Sequence, residues 1–154
     1  MDTITPQPSA TVSTFAQRLS STRRGARLAR LLAVERLTAW QVSPGVADRA
    51  EQIVAELAAK AALHGRVRGR DFRLTLTLDA TTGAGALRIA VTDARGDHLP
   101  QLSTNFETAA DGESGRGLVI VAALADRWGV DQRSEPPSTK TVWAELDLQP
   151  GVSE

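Results

Sequence analysis

Cysteine is absent from this chain, and with it disulfides, thiolate catalysis and most structural zinc sites. Histidine is nearly absent: His64 and His98 are too few to argue for a metal centre. No run of 18 apolar residues occurs, so no membrane-spanning helix is expected. The opening MDTITPQPSATVS lacks the apolar core of a signal peptide, and the chain reads as cytoplasmic. An excess of charge is missing as well. Eighteen basic and eighteen acidic residues cancel, which leaves no drive for non-specific binding to nucleic acid or to an anionic membrane. There is no strand–GxGxxG–helix unit and no GxxxxGK[ST] loop, so neither a Rossmann nor a P-loop reading applies.

What remains is a globular composition. A chain of 154 residues, 42% hydrophobic and 23% charged, fits one domain with a substantial core. Residues 1–13 are Thr, Ser and Pro with few apolar side chains and read as a flexible tail, and residues 149–154 as a second one. The domain is expected over 14–148.

The element that organises the rest is Ala50–Gly65, AEQIVAELAAKAALHG. Ile53, Leu57 and Ala61 recur at helical spacing, and Val54 and Ala58 widen the same stripe. Glu56, Lys60 and His64 form a second row at i, i+4 and i+8 beside that stripe. The row is either a site at a core boundary or an ordinary surface pair, since Glu followed by Lys at i+4 is common on helices. Before it, Thr14–Leu19 reads as a short strand anchored by Phe15. A helix follows to about Trp40, with N-cap hydroxyls at Ser20, Ser21 and Thr22. Leu28, Leu31, Leu32 and Leu37 are expected to make its inner face. Arg23, Arg24, Arg27 and Arg30 oppose the dipole at its start, which suits a solvated face or a partner better than helix stability. Ser43-Pro44-Gly45 reads as a turn.

After the organising helix, Phe72–Asp79 alternates without a fault, with Phe72, Leu74, Leu76 and Leu78 inward. Thr81–Gly85 is a hairpin turn, and Leu87, Ile89 and Val91 continue the alternation. Asp93 stands next in the same inward phase, either as a strand terminator or as a ligand contact. Residues 94–114 carry no periodicity and read as a lid or binding loop. Gly115-Arg116-Gly117 then opens an apolar helix, where backbone N–H groups and the dipole favour anions. A short strand over Trp128–Gln132 and a final one over Thr141–Leu148 close the chain. The expected fold is α+β, a two-layer sandwich with a mixed, mostly antiparallel sheet and helices on one face.

This order of elements resembles the Bergerat-type ATP-binding fold shared by DNA gyrase B, histidine kinases and the anti-sigma-factor serine kinases. Glu56-Leu57-Ala58-Ala59-Lys60-Ala61 with His64-Gly65 resembles that family's Glu-x-x-x-Asn row. Ala90-Val91-Thr92-Asp93 with Arg95-Gly96 resembles its aspartate at a strand end. Gly115-Arg116-Gly117-Leu118 resembles its Gly-x-Gly, and Lys140-Thr141-Val142-Trp143 its closing strand. The small single-domain version is similar to bacterial anti-sigma regulatory factors over roughly residues 14–148.

The resemblance implies Glu56 as catalytic base and Lys60, His64, Asp93, Gly96, Gly115, Arg116, Gly117, Leu118 and Thr141 as cofactor-binding positions. Two departures matter. The family's metal-holding asparagine is Lys60 here, and lysine has no acceptor oxygen, so no metal ligand is expected. Of the family's Asp-x-Gly-x-Gly only Asp93 is in place, with a glycine shifted to Gly96. The implied cofactor is therefore ATP or ADP, held without Mg²⁺ if held at all. The implied partners are a sigma factor, an anti-sigma factor antagonist, or both, with no nucleic acid and no membrane, and a homodimer is implied as well. The expected function is regulation of transcription by partner binding with weak or no phosphotransfer. The alternatives are an active Mg-ATP-dependent serine kinase acting on the antagonist, and a scaffold with a closed pocket.

Overall fold

The computed structural model describes residues 12–64, 71–80, 85–94, 112–135 and 138–148, without the side chains of residues 64 and 112–116. The expected position at Gly96, and residues 95–111 of the expected lid over 94–114, lie outside the described residues. Strand β1 (Val12–Ser20) leads into helices α1 (Arg23–Ala39) and α2 (Pro44–His64). Strands β2 (Asp71–Asp79) and β3 (Ala86–Asp93) form a hairpin. Helix α3 (Gly112–Leu124) and strands β4 (Arg127–Arg133) and β5 (Thr139–Asp147) complete the order.

The five strands make one sheet in the order β1-β2-β3-β5-β4. Every described pairing is antiparallel, so the mixed character expected from the sequence is not found among these strands. One sheet face is apolar because each strand alternates. Phe72, Leu74 and Leu76 on β2, Leu87, Ile89 and Val91 on β3, and Val142, Ala144 and Leu146 on β5 are all buried in one core cluster. The helices cover that face. Ile53, Val54, Leu57, Ala58 and Ala61 of α2 lie in the same cluster, as their helical spacing predicts.

Helix α1 departs from its expected packing. Its buried residues are Gly25, Ala29, Ala33 and Leu37, while Leu28 and Leu31 are exposed. A stripe of small residues lets helices approach closely, and here it, rather than the larger leucines, marks the inner face. A Cβ on Gly25 would collide with the Ser20 carbonyl, so the turn from β1 into α1 requires glycine there. Thr22 caps the helix by accepting from the Gly25 N–H at 3.0 Å. The arginines behind it, Arg23, Arg24 and Arg27, are exposed, and Arg30 pairs with Glu51 of α2 at 2.7 Å. At the other end, Val42 N–H bonds to the Leu37 carbonyl at 3.0 Å around Gln41, which has a left-handed φ of 59°.

Two helix starts also differ from expectation. Helix α2 begins at Pro44, because proline at a first helical position loses no needed N–H. Helix α3 begins at Gly112, so Gly115, Arg116 and Gly117 lie inside it rather than in front of it. Trp128 belongs to β4, because Asp126 N–H already pairs with the Glu145 carbonyl at 2.9 Å and starts the strand ladder.

Candidate functional site

Helix α2 lies over the ends of β3 and β5, and α3 packs beside it. Arg49 of α2 fixes that arrangement by donating from Nε and Nη2 to the Leu124 carbonyl of α3, at 3.1 and 2.7 Å. A cation on the last carbonyls of a helix also suits its dipole. The half-buried Glu56 faces α3: its Oε1 lies 3.5 Å from where a Cβ on Gly117 would stand. The carboxylate and the glycine-bearing start of α3 are neighbours.

One turn further along α2, Lys60 joins a second cluster. Leu57, Lys60 and Ala61 of α2, Val91 and Asp93 of β3, and Lys140 and Val142 of β5 wall a void of about 10 Å³. That volume is about the room for one water. Asp93 and Lys140 are direct cross-strand partners in the β3–β5 register. Lys140 Nζ lies 3.8 Å from Asp93 Oδ2, and the two side chains are 8% and 6% exposed. Buried charges persist in proteins when paired, and this pair meets that condition. Asp93 also borders a larger cleft of about 340 Å³, whose walls include Arg18, Arg73, Thr92 and Thr139.

The structure brings Lys60 and Asp93 to one void and sets Glu56 against Gly117. Gly115 and Arg116 contribute backbone to the first turns of α3. Leu118 has its side chain in the core, which leaves only its backbone for a ligand. His64 ends α2. Thr141 stands on the other sheet face, where its hydroxyl is 2.7 Å from that of Thr92. Lys140 is therefore the charged residue of the closing strand that lines the void, and it was absent from the expected set. The signal was present: Lys140 shares the inward phase of Val142, Ala144 and Leu146.

The donor set does not suit a divalent cation. Mg²⁺ takes oxygen ligands in octahedral geometry, and the Lys60 ammonium in this wall offers none. Among the described residues no group of three or more His, Cys, Asp or Glu side chains could hold a metal ion.

This sheet, covered on one face by α2 and α3 with a carboxylate beside a glycine-bearing helix start, is the architecture of a histidine kinase-like ATPase domain. The sequence matches that family over residues 19–145, and the chain belongs to it. Among solved structures, it is similar to the RsbU and RsbW domains of Rv1364c from Mycobacterium tuberculosis, with 17% identity and a TM-score of 0.64. That match covers 90% of this chain and 33% of the other, so this chain spans a third of that longer protein. It is also similar to the SiaB–SiaC complex from Pseudomonas aeruginosa, with 14% identity, a TM-score of 0.59, and coverage of 86% and 89%. No protein of curated function matches the sequence. No helix among the described residues is long and apolar enough to cross a membrane.

Proposed function

We propose that this chain is a cytoplasmic regulatory protein of the anti-sigma type. It acts in bacterial transcriptional control by binding a sigma factor, an anti-sigma factor antagonist or both, with weak or no phosphotransfer. The observation that carries this reading is Lys60, an ammonium with no acceptor oxygen, in the wall it shares with Asp93 and Lys140. Phosphoryl transfer in enzymes of this kind rests on positioning and on neutralisation of phosphate charge by a metal. A site that cannot ligate the metal retains the fold and its surfaces but loses the main source of rate. The likeness to a structure solved as a two-protein complex supports protein partners in general.

A second reading, an Mg-ATP-dependent serine kinase, is favoured by one observation. Glu56, the carboxylate that would accept a proton from an attacking hydroxyl, faces Gly117 at the start of α3. Transfer of labelled γ-phosphate from ATP to a purified antagonist separates the two. Stable co-purification with the sigma factor or antagonist and no label above background is the expected result. Rapid Mg²⁺-dependent labelling would establish the kinase instead.

A further inference from the structure

The resemblance of Ala90-Val91-Thr92-Asp93 to the family's strand-end aspartate implies that Asp93 would accept a hydrogen bond from the amino group of a bound adenine. A buried carboxylate in that position needs a donor, and in a nucleotide site the ligand brings it. Here the chain brings a counter-charge instead. Lys140 faces Asp93 directly across the β3–β5 ladder, and its Nζ is 3.8 Å from Oδ2. Both side chains are over nine-tenths buried, and on the α2 side the void they share with Lys60 and Leu57 holds about 10 Å³, far short of a purine ring, although Asp93 also borders the 340 Å³ cleft. Thr141, the small polar residue of the closing strand, points to the opposite sheet face and cannot take this role.

We propose that Lys140 is an internal occupant of the base-recognition position, so that the site is closed to amino-purine nucleotides by the chain's own side chain. An adenine that replaced it would gain one hydrogen bond to Asp93. It would also leave the Lys140 ammonium buried without its counter-charge, a cost that lowers affinity by roughly 10²–10³-fold. The exchange is unfavourable for the ligand. Partner binding by this protein then proceeds without nucleotide control. The inference rests on the family reading of Asp93, but it does not require that the protein partner be a sigma factor.

Adenosine is the appropriate probe, because it carries the base without phosphates that Lys60 would attract. Its binding is measured by calorimetry on the wild type, on Lys140→Thr, and on Asp93→Asn/Lys140→Thr. The wild type is expected to show no binding up to millimolar adenosine. Lys140→Thr is expected to gain at least 100-fold, and the double variant to lose that gain because the accepting carboxylate is gone. Equal affinity of wild type and Lys140→Thr overturns the proposal, and so does a Lys140→Thr variant that folds and gains nothing. Should Lys140→Thr not fold, amide NMR spectra of the wild type with adenosine decide the matter. Shifts at Asp93, Val91 and Val142 overturn the proposal, and unperturbed resonances there uphold it. Co-purification of the same wild-type protein with sigma factor or antagonist reports separately on the proposed function, so either idea can fail alone.

Discussion

Replacing Lys140 by methionine removes one member of a buried ion pair and keeps most of the side-chain volume. At 3.8 Å and an effective dielectric of about 20, the attraction between Lys140 and Asp93 is on the order of 4 kcal/mol. Desolvation of the two groups offsets much of this, so the intact pair adds little net stability. Breaking it is another matter. Asp93, 6% exposed, would keep its burial and lose the Lys140 charge, a loss of up to about 3–5 kcal/mol. Asp93→Asn is the mirror image and should also destabilise by several kcal/mol. The double variant Asp93→Asn/Lys140→Met removes both charges and should lie within about 1–2 kcal/mol of wild type, since replacing a buried pair by uncharged groups is often close to neutral. Urea unfolding at pH 7 measures all four proteins, with a common slope required for comparison. A domain of ordinary stability, roughly 5–15 kcal/mol, survives each single change with a clearly lower midpoint. A cost below about 1 kcal/mol for Lys140→Met, or a double variant whose cost equals the sum of the singles, would refute the pairing argument.

Other consequences concern the metal, acid stability and the end of α1. Lys60→Asn combined with Lys140→Thr supplies an acceptor oxygen and opens the base position, so ATP binding by the double variant should become sensitive to EDTA. Neither change alone should produce a Mg²⁺-dependent site in a calorimetric titration. On the open sheet face, Arg127 and Arg88 donate to Glu145 at 3.0 Å each, and the Arg127 bond leads in holding its carboxyl below its ordinary value. Because that pKa is depressed in the fold, the stabilisation is full above the ordinary value of 4.5 and fades as pH falls through the lower, folded one. The wild type should therefore be slightly more stable than Arg127→Gln at pH 7, and the gap should narrow in thermal melts as pH falls below 4.5. Gln41 holds φ at 59°, a conformation glycine adopts without strain, so Gln41→Gly should raise stability by about 0.5–1 kcal/mol in the same melts.

The sheet was legible because its signal is local. The inward phase of Phe72, Leu74 and Leu76, carried on by Leu87, Ile89, Val91 and Asp93, follows from a period of two and survives into the structure unchanged. The stripe Ile53, Leu57, Ala61 worked for the same reason at a period of 3.6. Helix α1 did not, because hydrophobic size and closeness of approach disagree there. The leucines are larger, but Gly25, Ala29 and Ala33 are what tight packing selects. Glycine and proline misled at two helix starts: Pro44 belongs to α2 rather than to a turn, and residues 112–114 belong to α3 rather than to the expected lid. In the site, Lys60 stood out by its helical row with Glu56, and Asp93 by its inward strand phase, and the resemblance then implied their roles. Their meeting with Lys140 is a cross-strand contact between residues 93 and 140, and only the register of β3 with β5 reveals it.

The central claim is that this chain keeps an ATPase fold without a working metal–nucleotide site. Calorimetric titration of the wild type with ATP, once in excess Mg²⁺ and once in EDTA, tests it most directly. The expected result is no Mg²⁺-dependent binding, with the two titrations indistinguishable. Tight binding in Mg²⁺ that EDTA abolishes would mean that Lys60 does not exclude the ion and that Lys140 does not close the base position.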